Sequence, residues 1–222
     1  MEREKLEGGL YMYRDPSFTL GADAVQLAHF AAARVRPGMR VCDAGCGAGA
    51  VQLLMAAACP GASFVGVDIR EDAARLASLA AREQALTVRA VCADLRALPG
   101  EGDFVPGSFD MVVANPPYYP LGGGKLPADP GARIARTEEC LTLFDLCKQA
   151  ARLLRHHGSF CAVISPARLP ELMSLCTAHG MEPRELVPVF PRAGEKACMA
   201  LLCAVKGAKP GGFTITPWRD LA

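Results

Sequence analysis

The sequence predicts an α/β fold built on a mainly parallel β-sheet. Stretches typical of buried strands alternate with stretches typical of helices along the whole chain, which is the pattern of successive βαβ units. Two strand ends also carry motifs suited to ligand binding, the glycine-rich turn at 45–49 and Asn115-Pro116-Pro117-Tyr118. Ligands of such sheets bind beyond the carboxyl ends of the strands, so these motifs indicate one shared site.

This alternation predicts seven strands and five helices. Strands are expected at about 40–44, 63–68, 88–95, 109–114, 158–164, 186–190 and 197–205, and helices at about 22–34, 50–58, 71–84, 137–155 and 167–179. Thr137 is the expected N-cap of the fourth helix, with Glu138 and Glu139 in its first turn. His156 and His157 are expected at the end of that helix, where basic side chains interact favourably with its dipole.

The stretch 40–49 is typical of a strand, a glycine-rich turn and the start of a helix. Gly45, Gly47 and Gly49 lack a Cβ, so the backbone of the turn can approach a ligand closely. The following helix would direct its N-terminal amides and the positive end of its dipole at that ligand. Dinucleotide enzymes also use a glycine-rich turn, but the spacing here is G-x-G-x-G rather than the G-x-G-x-x-G of a nicotinamide site.

Acidic residues end the next two strands. Asp68 lies 23 residues after Gly45 (68 − 45), and in a βαβ unit a carboxylate at this position can accept hydrogen bonds from both hydroxyls of a ribose. Asp94 is placed to accept a hydrogen bond from an adenine amino group. Each acid also has a simpler interpretation, Asp68 as the cap of the helix that begins near Glu71 and Asp94 as an N-cap or turn residue.

The strand at 109–114 ends in Asn115-Pro116-Pro117-Tyr118, a motif suited to a planar nitrogen group. The side-chain oxygen of Asn115 and the carbonyl oxygen of Pro116 can both accept hydrogen bonds from one NH2 group. Neither proline has an N–H to compete there, and a residue before a proline is biased towards extended backbone. Tyr118 offers a ring face for stacking on a base. The alternative is a simple proline-rich loop after a strand.

Composition is that of an ordinary globular protein. The 222 residues suffice for one α/β domain with a sizeable core, and 51% of them are hydrophobic. The net charge of +1 gives no global basic field, so affinity for nucleic acid would need local patches. No apolar run reaches the ~18 residues of a spanning helix and no signal peptide is visible, so a cytoplasmic protein without membrane contact is expected.

Ten cysteines are present, but no C-x-x-C pair occurs. Half of them sit in apolar stretches, namely Cys92, Cys161, Cys176, Cys198 and Cys203. A free cysteine in such a place packs as a small apolar residue, and free thiols in this number favour a reducing cytoplasm. Cys42 and Cys46 flank the glycine-rich turn, so no metal site is expected.

In chain order, the glycine-rich turn, the two acids and Asn-Pro-Pro-Tyr resemble the Rossmann-like methyltransferases that depend on S-adenosylmethionine (SAM). The last motif resembles their amino-methyltransferase branch. Three further segments, 18–28, 133–139 and 204–211, are similar to bacterial tRNA1(Val) adenine-N6 methyltransferases. The similar segments together run from about Tyr13 to Pro217. The chain departs from that family at Thr137, where a His is usual, and at Cys46 and Ala48 of the glycine-rich turn, where Thr is common.

This resemblance implies a single methyltransferase domain over residues 1–222, with an N-terminal helical segment at 1–38 and a substrate loop at 119–137. It implies a seven-stranded, mainly parallel sheet in the order 3-2-1-4-5-7-6, with the last strand antiparallel and helices on both faces. The implied cofactor is SAM, and the residues implied to bind it are Thr19, Asp23, Asp43, Gly45, Gly47, Gly49, Asp68, Ile69, Asp94, Leu95 and Asn115. The residues implied to act on the substrate are Asn115, Pro116, Pro117 and Tyr118.

The implied reaction is methyl transfer to the exocyclic N6 of an adenine in tRNA or another structured RNA, by a monomer or homodimer without a metal. Tyr118 would stack on a base swung out of its helix or loop. The long stretch 119–137 contains three consecutive glycines and is expected to order on substrate binding, with simple disorder as the alternative. The cations expected to contact RNA are Lys125, Arg133, Arg136, Lys206 and Lys209.

Three other functions stay open. A protein glutamine-N5 methyltransferase uses the same Asn-Pro-Pro-Tyr motif on an amide, but such enzymes usually carry a separate helical N-terminal domain, and only about 40 residues precede the first strand here. A non-catalytic RNA-binding or chaperone protein on the same fold is disfavoured by the intact Asp68, Asp94 and Asn115. A nicotinamide-dependent reductase is disfavoured by the spacing of the glycine turn.

Overall fold

The computed structural model describes residues 2–14, 20–98, 100, 102–116, 141–192 and 194–217. Their strands are β1 Arg3–Lys5, β2 Tyr11–Tyr13, β3 Arg40–Ala44, β4 Ser63–Asp68, β5 Val88–Cys92, β6 Phe109–Ala114, β7 Leu154–Ile164, β8 Met181–Val189, β9 Met199–Lys206 and β10 Thr214–Ile215. Their α-helices are α1 Ala22–Ala32, α2 Ala50–Ala58, α3 Glu71–Glu83, α4 Leu143–Leu153 and α5 Leu169–Ala178. None of these helices is long and apolar enough to cross a lipid bilayer.

The central sheet has the order β10-β8-β9-β7-β6-β3-β4-β5. Strands β3 to β7 are parallel to their neighbours within this set, whereas β9 runs antiparallel to both β7 and β8. The seven long strands therefore confirm the expected order and the antiparallel last strand. The expected count was one too low, because the short strand β10 pairs with the outer edge of β8.

Helices cover both faces of the sheet, and successive residues of each strand pack against opposite layers. In β6, Met111 and Val113 pack with α1, α2 and α3, whereas Val112 and Ala114 pack with α4 and α5. All four side chains are fully buried. Burial on both faces explains why these strands are continuous apolar runs rather than alternating ones.

The segment 1–38 is only partly helical, which corrects the expectation for it. Strands β1 and β2 form an antiparallel hairpin before α1. The hydroxyls of Tyr11 and Tyr13 both donate to the Glu83 carboxylate, at 2.6 and 2.7 Å. The side chain of Gln84 bonds both the N–H and the carbonyl of Tyr11. The hairpin is thus attached to the C-terminal end of α3 by side-chain contacts that local sequence does not reveal.

The fourth helix begins later and ends earlier than expected. Thr142 is the N-cap of α4, because its hydroxyl accepts from the Asp145 amide at 3.1 Å, while Thr137 lies outside the described residues. The helix ends at Leu153, and Leu154 already pairs with Phe109 of β6. The expected place of His156 and His157 at a helix end is therefore wrong, since both lie in β7.

Two other strand boundaries also differ from the prediction. Strand β5 ends at Cys92 rather than Leu95, because Asp94 caps a 3-10 helix at Leu95–Ala97. Strand β8 begins at Met181 rather than 186, because β9 pairs with it along its whole length. The end of β5 depends on a side-chain hydrogen bond within one turn, and the start of β8 depends on pairing with another strand.

We expect Gly49→Ala to destabilise the fold more than Gly107→Ala does. Both glycines have positive φ, +92° and +72°, so each substitution carries left-handed backbone strain of roughly 1–2 kcal/mol. A Cβ at Gly49 would also lie 2.8 Å from the Cβ of Ala77 in α3, whereas a Cβ at Gly107 would meet nothing within 4 Å. Overpacking of this kind costs roughly 1–3 kcal/mol.

Denaturant unfolding of the two variants measures the difference in the free energy of unfolding. A deficit at least about 1 kcal/mol larger for Gly49→Ala is the expected result, within that overpacking range. Equal losses would mean that α2 and α3 can separate at this contact without cost.

Candidate active site

The carboxyl ends of β3, β4, β5 and β6 open into one cleft of about 950 Å³, part of which is open to solvent. Its wall contains these residues selected from the sequence: Asp43, Gly45, Gly47, Asp68, Ile69, Asp94, Leu95, Asn115 and Pro116. Sequence reasoning missed others, among them Ala24, Val51, Arg70 and Leu141. Ala24 lies in the similar segment 18–28, and the other three belong to no motif. The packing of α1 and α2 and the course of the turns bring all four to the cleft.

The glycine-rich turn folds over the end of β4. The backbone N–H groups of Gly45 and Cys46 both donate to the carbonyl oxygen of Val67, at 2.8 and 3.0 Å. A Cβ placed on Gly45 or Gly47 would meet no atom within 4 Å, so the space over both residues is open to a ligand. Gly49 lies outside the cleft wall, where its missing side chain permits the contact with α3.

Asp68 connects two turns at the floor of the cleft. One carboxylate oxygen accepts from the N–H of Gly47 at 2.8 Å, and the other accepts from the N–H of Arg70 at 2.9 Å. The N-cap position of α3 is Arg70, so Asp68 does not cap that helix. A carboxylate has about four acceptor sites, and its remaining capacity is compatible with the predicted bonds to ribose hydroxyls.

Asp94 lies in the cleft wall but is already engaged locally. It accepts from the backbone N–H of Arg96 at 2.9 Å and from the Arg96 guanidinium at 2.7 to 3.1 Å. The side-chain hydrogen bonds of Arg96 hold the pKa of Asp94 below its usual value. The interpretation of Asp94 as an N-cap is confirmed, and its contact with adenine stays a prediction.

Asp43 is the buried acid of the cleft. It is 2% exposed, and its Oδ2 atom has no hydrogen-bond partner among the residues that the structure describes. Burial raises the pKa of Asp43 from 3.8 to about 7, and the nearby Asp68 carboxylate adds to the rise. A hydrogen bond from the backbone of Gln52 opposes it. A cation in the cleft would therefore favour ionisation of Asp43.

Asn115 directly follows β6 and is contacted by the first turn of α1. Its Nδ2 atom donates to Oδ2 of Asp23 at 3.1 Å. Its Oδ1 atom is buried and has no partner within the described ranges. Pro116 lies beside it in the cleft wall. The predicted partners Pro117, Tyr118 and Thr19 lie outside the described residues, as does the predicted substrate loop.

The predicted RNA-binding cations are not brought together at the cleft. Lys125, Arg133 and Arg136 lie outside the described residues. Lys206 is the last residue of β9. Because β9 is antiparallel to β7, Lys206 lies at the end of the sheet opposite to the cleft. Its Nζ atom donates to the carbonyl oxygen of Leu154 at 2.7 Å. Lys209 lies near the start of β8 at that same end of the sheet, where its carbonyl oxygen accepts a hydrogen bond from Arg184.

The nine cysteines in the described part of the chain are free. Cys161, Cys176 and Cys203 are buried as expected, but Cys92 and Cys198 are exposed. Cys92 ends the edge strand β5, and Cys198 lies between β8 and β9, so neither has neighbours on all sides. No group of three or more described His, Cys, Asp or Glu side chains could hold a metal ion.

Comparison with known proteins identifies the family. A methyltransferase domain family matches residues 36–199, from just before β3 to the start of β9. The chain belongs to this family. The match includes the glycine-rich turn, the three acids of the cleft and Asn115. The fold of this methyltransferase is that of the SAM-dependent methyltransferases.

Two relatives of this methyltransferase have different substrates in their names. The release factor glutamine methyltransferase of Rhodospirillum rubrum is 28% identical over 193 residues, which are 78% of this chain and 54% of that protein. The tRNA1(Val) (adenine(37)-N6)-methyltransferase of Porphyromonas gingivalis is 28% identical over 149 residues, 66% of this chain and 58% of that protein. The chain thus spans about half the length of the curated relatives it matches.

Solved structures resemble this methyltransferase in fold. A predicted O-methyltransferase of Agrobacterium tumefaciens superposes with a TM-score of 0.68 at 21% identity, covering 88% of this chain and 85% of the other. A geranyl diphosphate methyltransferase in complex with SAM gives a TM-score of 0.59 at 17% identity, covering 82% and 85%. Similarity at this identity establishes the architecture and leaves the substrate open.

We expect Asp43 to make the stability of the methyltransferase fall as pH rises from about 4 to about 7. Below pH ~4 Asp43 is protonated in both states, so it imposes no penalty. As pH rises, the unfolded chain loses this proton while the folded chain retains it up to a pKa of about 7. This favours unfolding by at most roughly 4 kcal/mol, at ~1.4 kcal/mol per pH unit.

The measurement is denaturant unfolding of the wild type and Asp43→Asn between pH 4 and 8. Asparagine does not titrate, so the variant should gain stability relative to the wild type across this range. The exposed Asp72→Asn serves as the control and should follow the wild type at every pH. A constant difference between wild type and Asp43→Asn would contradict the raised pKa.

Proposed function

We propose that this methyltransferase transfers a methyl group from SAM to the exocyclic N6 of an adenine in a tRNA. The observation that carries the proposal is the acceptor atom Oδ1 of Asn115, which is buried at the cleft without a partner in the described part of the chain. An exocyclic NH2 group supplies the donor that such an oxygen lacks.

Three features of the cleft support SAM as the cofactor. Open space over Gly45 and Gly47 admits a ligand against the backbone of the turn. Asp68 has acceptor capacity for ribose hydroxyls, and the unpartnered oxygen of Asp43 favours a cationic ligand. When bound, SAM supplies a methyl group that is activated by the positive charge on its sulfur.

Asn115 and Pro116 would prepare the nitrogen of the acceptor. The lone pair of an exocyclic amine is delocalised into the ring, so the nitrogen is a weak nucleophile. Two acceptors, the Asn115 side-chain oxygen and the Pro116 carbonyl, would hold its two hydrogens and favour a pyramidal nitrogen. Positioning of this kind, rather than a strong base, would provide most of the rate. The proton can leave to water after transfer.

Methylation of a glutamine side chain is the second candidate. It is supported by the similarity to the Rhodospirillum rubrum protein, whose match covers more of this chain than the Porphyromonas gingivalis match does. A primary amide presents the same planar NH2 group as adenine, so the acceptors of the cleft suit both. Only a substrate assay separates the two candidates.

The experiment offers the purified protein bulk tRNA and a release-factor protein, with SAM labelled in the methyl group. We expect label in N6-methyladenosine from the tRNA, and we expect Asn115→Ala to slow single-turnover transfer by roughly a hundredfold or more. Donor affinity of that variant, measured by calorimetry, should stay within a few fold of wild type. Label on a glutamine and none in RNA would favour the second candidate.

A basic surface at the cleft side supports RNA as the substrate. The β8–β9 loop (residues 190–192 and 194–198) follows the carboxyl end of β8, which is parallel to β7. Two strand spacings, or ~10 Å, separate β9 from β6, where Asn115 lies. The loop exposes Phe190, Arg192 and Lys196, with one acid, Glu195. Neither cation forms an ion pair with another described residue.

We expect the pair Arg192→Ala and Lys196→Ala to weaken tRNA binding more than the pair Lys206→Ala and Lys209→Ala. Both pairs remove two positive charges, but only the first lies on the cleft side of the sheet. The log–log salt dependence of binding should become shallower by roughly one to two units, since each phosphate contact contributes about 0.7–0.9. Filter binding at several salt concentrations measures this salt dependence. A larger effect of the Lys206→Ala and Lys209→Ala pair would support the RNA contacts expected from the sequence.

A further inference from the structure

The contact between Asp23 and Asn115 links the first turn of α1 to the end of β6, across 92 residues of sequence. Asp23 does not belong to the cleft wall, although its neighbour Ala24 does. Asp23 therefore reaches the place of the proposed reaction through its contact with Asn115.

The amide of Asn115 has two ends with opposite hydrogen-bonding character. The oxygen accepts hydrogen bonds and the nitrogen donates them, and a rotation of about 180° about the last side-chain torsion exchanges the two. Only the oxygen can accept from an NH2 group. With the nitrogen towards the cleft, two donors would face each other, and the substrate would be repelled.

The carboxylate of Asp23 distinguishes the two orientations. A carboxylate offers acceptors only, so the nitrogen of Asn115 must face it. The 3.1 Å bond from Nδ2 to Asp23 has this sense, and it leaves Oδ1 as the end of the amide without a partner among the described residues. The alternative orientation would place two oxygen acceptors in contact.

The position of Asp23 follows from the helix that carries it. It lies in the first turn of α1, whose buried face includes Ala24, Leu27 and Ala28. The residue at the N-cap is Gly21, where a Cβ would lie 2.1 Å from Oδ1 of Asp23. The absent side chain at Gly21 therefore gives the carboxylate room beside the end of the helix.

We infer that Asp23 is a positioning residue that fixes the Asn115 amide with its oxygen available to the substrate NH2 group. This inference rests on the proposed function, because it requires that Asn115 accept from the substrate. It assigns Asp23 a different task from the cofactor contact expected from sequence. Asp23 acts on the rate through Asn115 and leaves donor affinity unchanged.

Kinetics of Asp23→Ala test this role. We expect kcat to fall roughly 10- to 100-fold, the range for losing a hydrogen bond to a charged partner, with donor Kd within about twofold of wild type. Asp23→Glu keeps the carboxylate and should recover part of the loss. Asp72→Ala is the matched control, since Asp72 holds the same second position in α3, is exposed and does not belong to the cleft wall. It should leave kcat unchanged.

A double-mutant cycle with Asn115→Ala tests whether Asp23 works through the amide. Asp23→Ala should cost little in the Asn115→Ala background, because the amide that it orients is gone. Additive losses would overturn the inference. So would a large rise in donor Kd for Asp23→Ala, which would make Asp23 a direct cofactor ligand.

A measurement without substrate separates this inference from the proposed function. The side-chain amide signals of Asn115 can be assigned by their loss in Asn115→Ala, using ¹⁵N-labelled protein. We expect one of its two amide protons to exchange slowly with solvent in the wild type and at least several-fold faster in Asp23→Ala. Equal exchange in both proteins would refute the role of Asp23. A wild type that labels neither RNA nor protein would refute the proposed function alone.

Discussion

The two hydrogen bonds accepted by Asp68 are the constraint on which the cleft depends. They join the N–H of Gly47 in the β3–α2 turn to the N–H of Arg70 in the β4–α3 connection. With the bonds from Gly45 and Cys46 to Val67, they fold the glycine turn over the end of β4. The N-terminus of α2 and the open space over the turn take their places from this arrangement.

The same carboxylate has an electrostatic consequence. Asp68 lies near the buried Asp43, and its charge adds to the burial that raises the pKa of Asp43. Two acids close together in a partly enclosed site favour a cationic ligand, because a positive charge relieves their repulsion. The interaction that shapes the turn therefore also prepares the charge of the cleft for a sulfonium compound such as SAM.

The acceptors that we propose in the cleft suit a planar NH2 group without selecting the molecule that carries it. An adenine amine and a glutamine amide present similar donors to Asn115 and Pro116, and relatives with both activities in their names match the chain. Substrate choice must then come from surfaces around the cleft. We propose the β8–β9 loop for this role, because the direction of β8 and β9 places Arg192 and Lys196 on the cleft side of the sheet and Lys206 on the other.

The order of the long strands was implied by the resemblance to a known family, whereas the sequence by itself determined the class of fold and about half of the cleft wall. These follow from local features, namely apolar runs of strand length, glycines where positive φ is needed, and acids directly after strands. Gly45, Asp68 and Asn115 could be selected this way because each sits at a strand end, and parallel strand ends converge. Asp43 was implied only by the resemblance.

Only the tertiary structure decided which partners these residues have. Contacts between residues far apart in sequence determine four features of the structure. These are the pairing of Asp23 with Asn115, the hairpin held by Glu83, the strand position of His156 and the end of the sheet at which Lys206 lies. Propensity describes what a segment favours alone, whereas hydrogen-bond partners and strand direction depend on which segments become neighbours in the folded sheet.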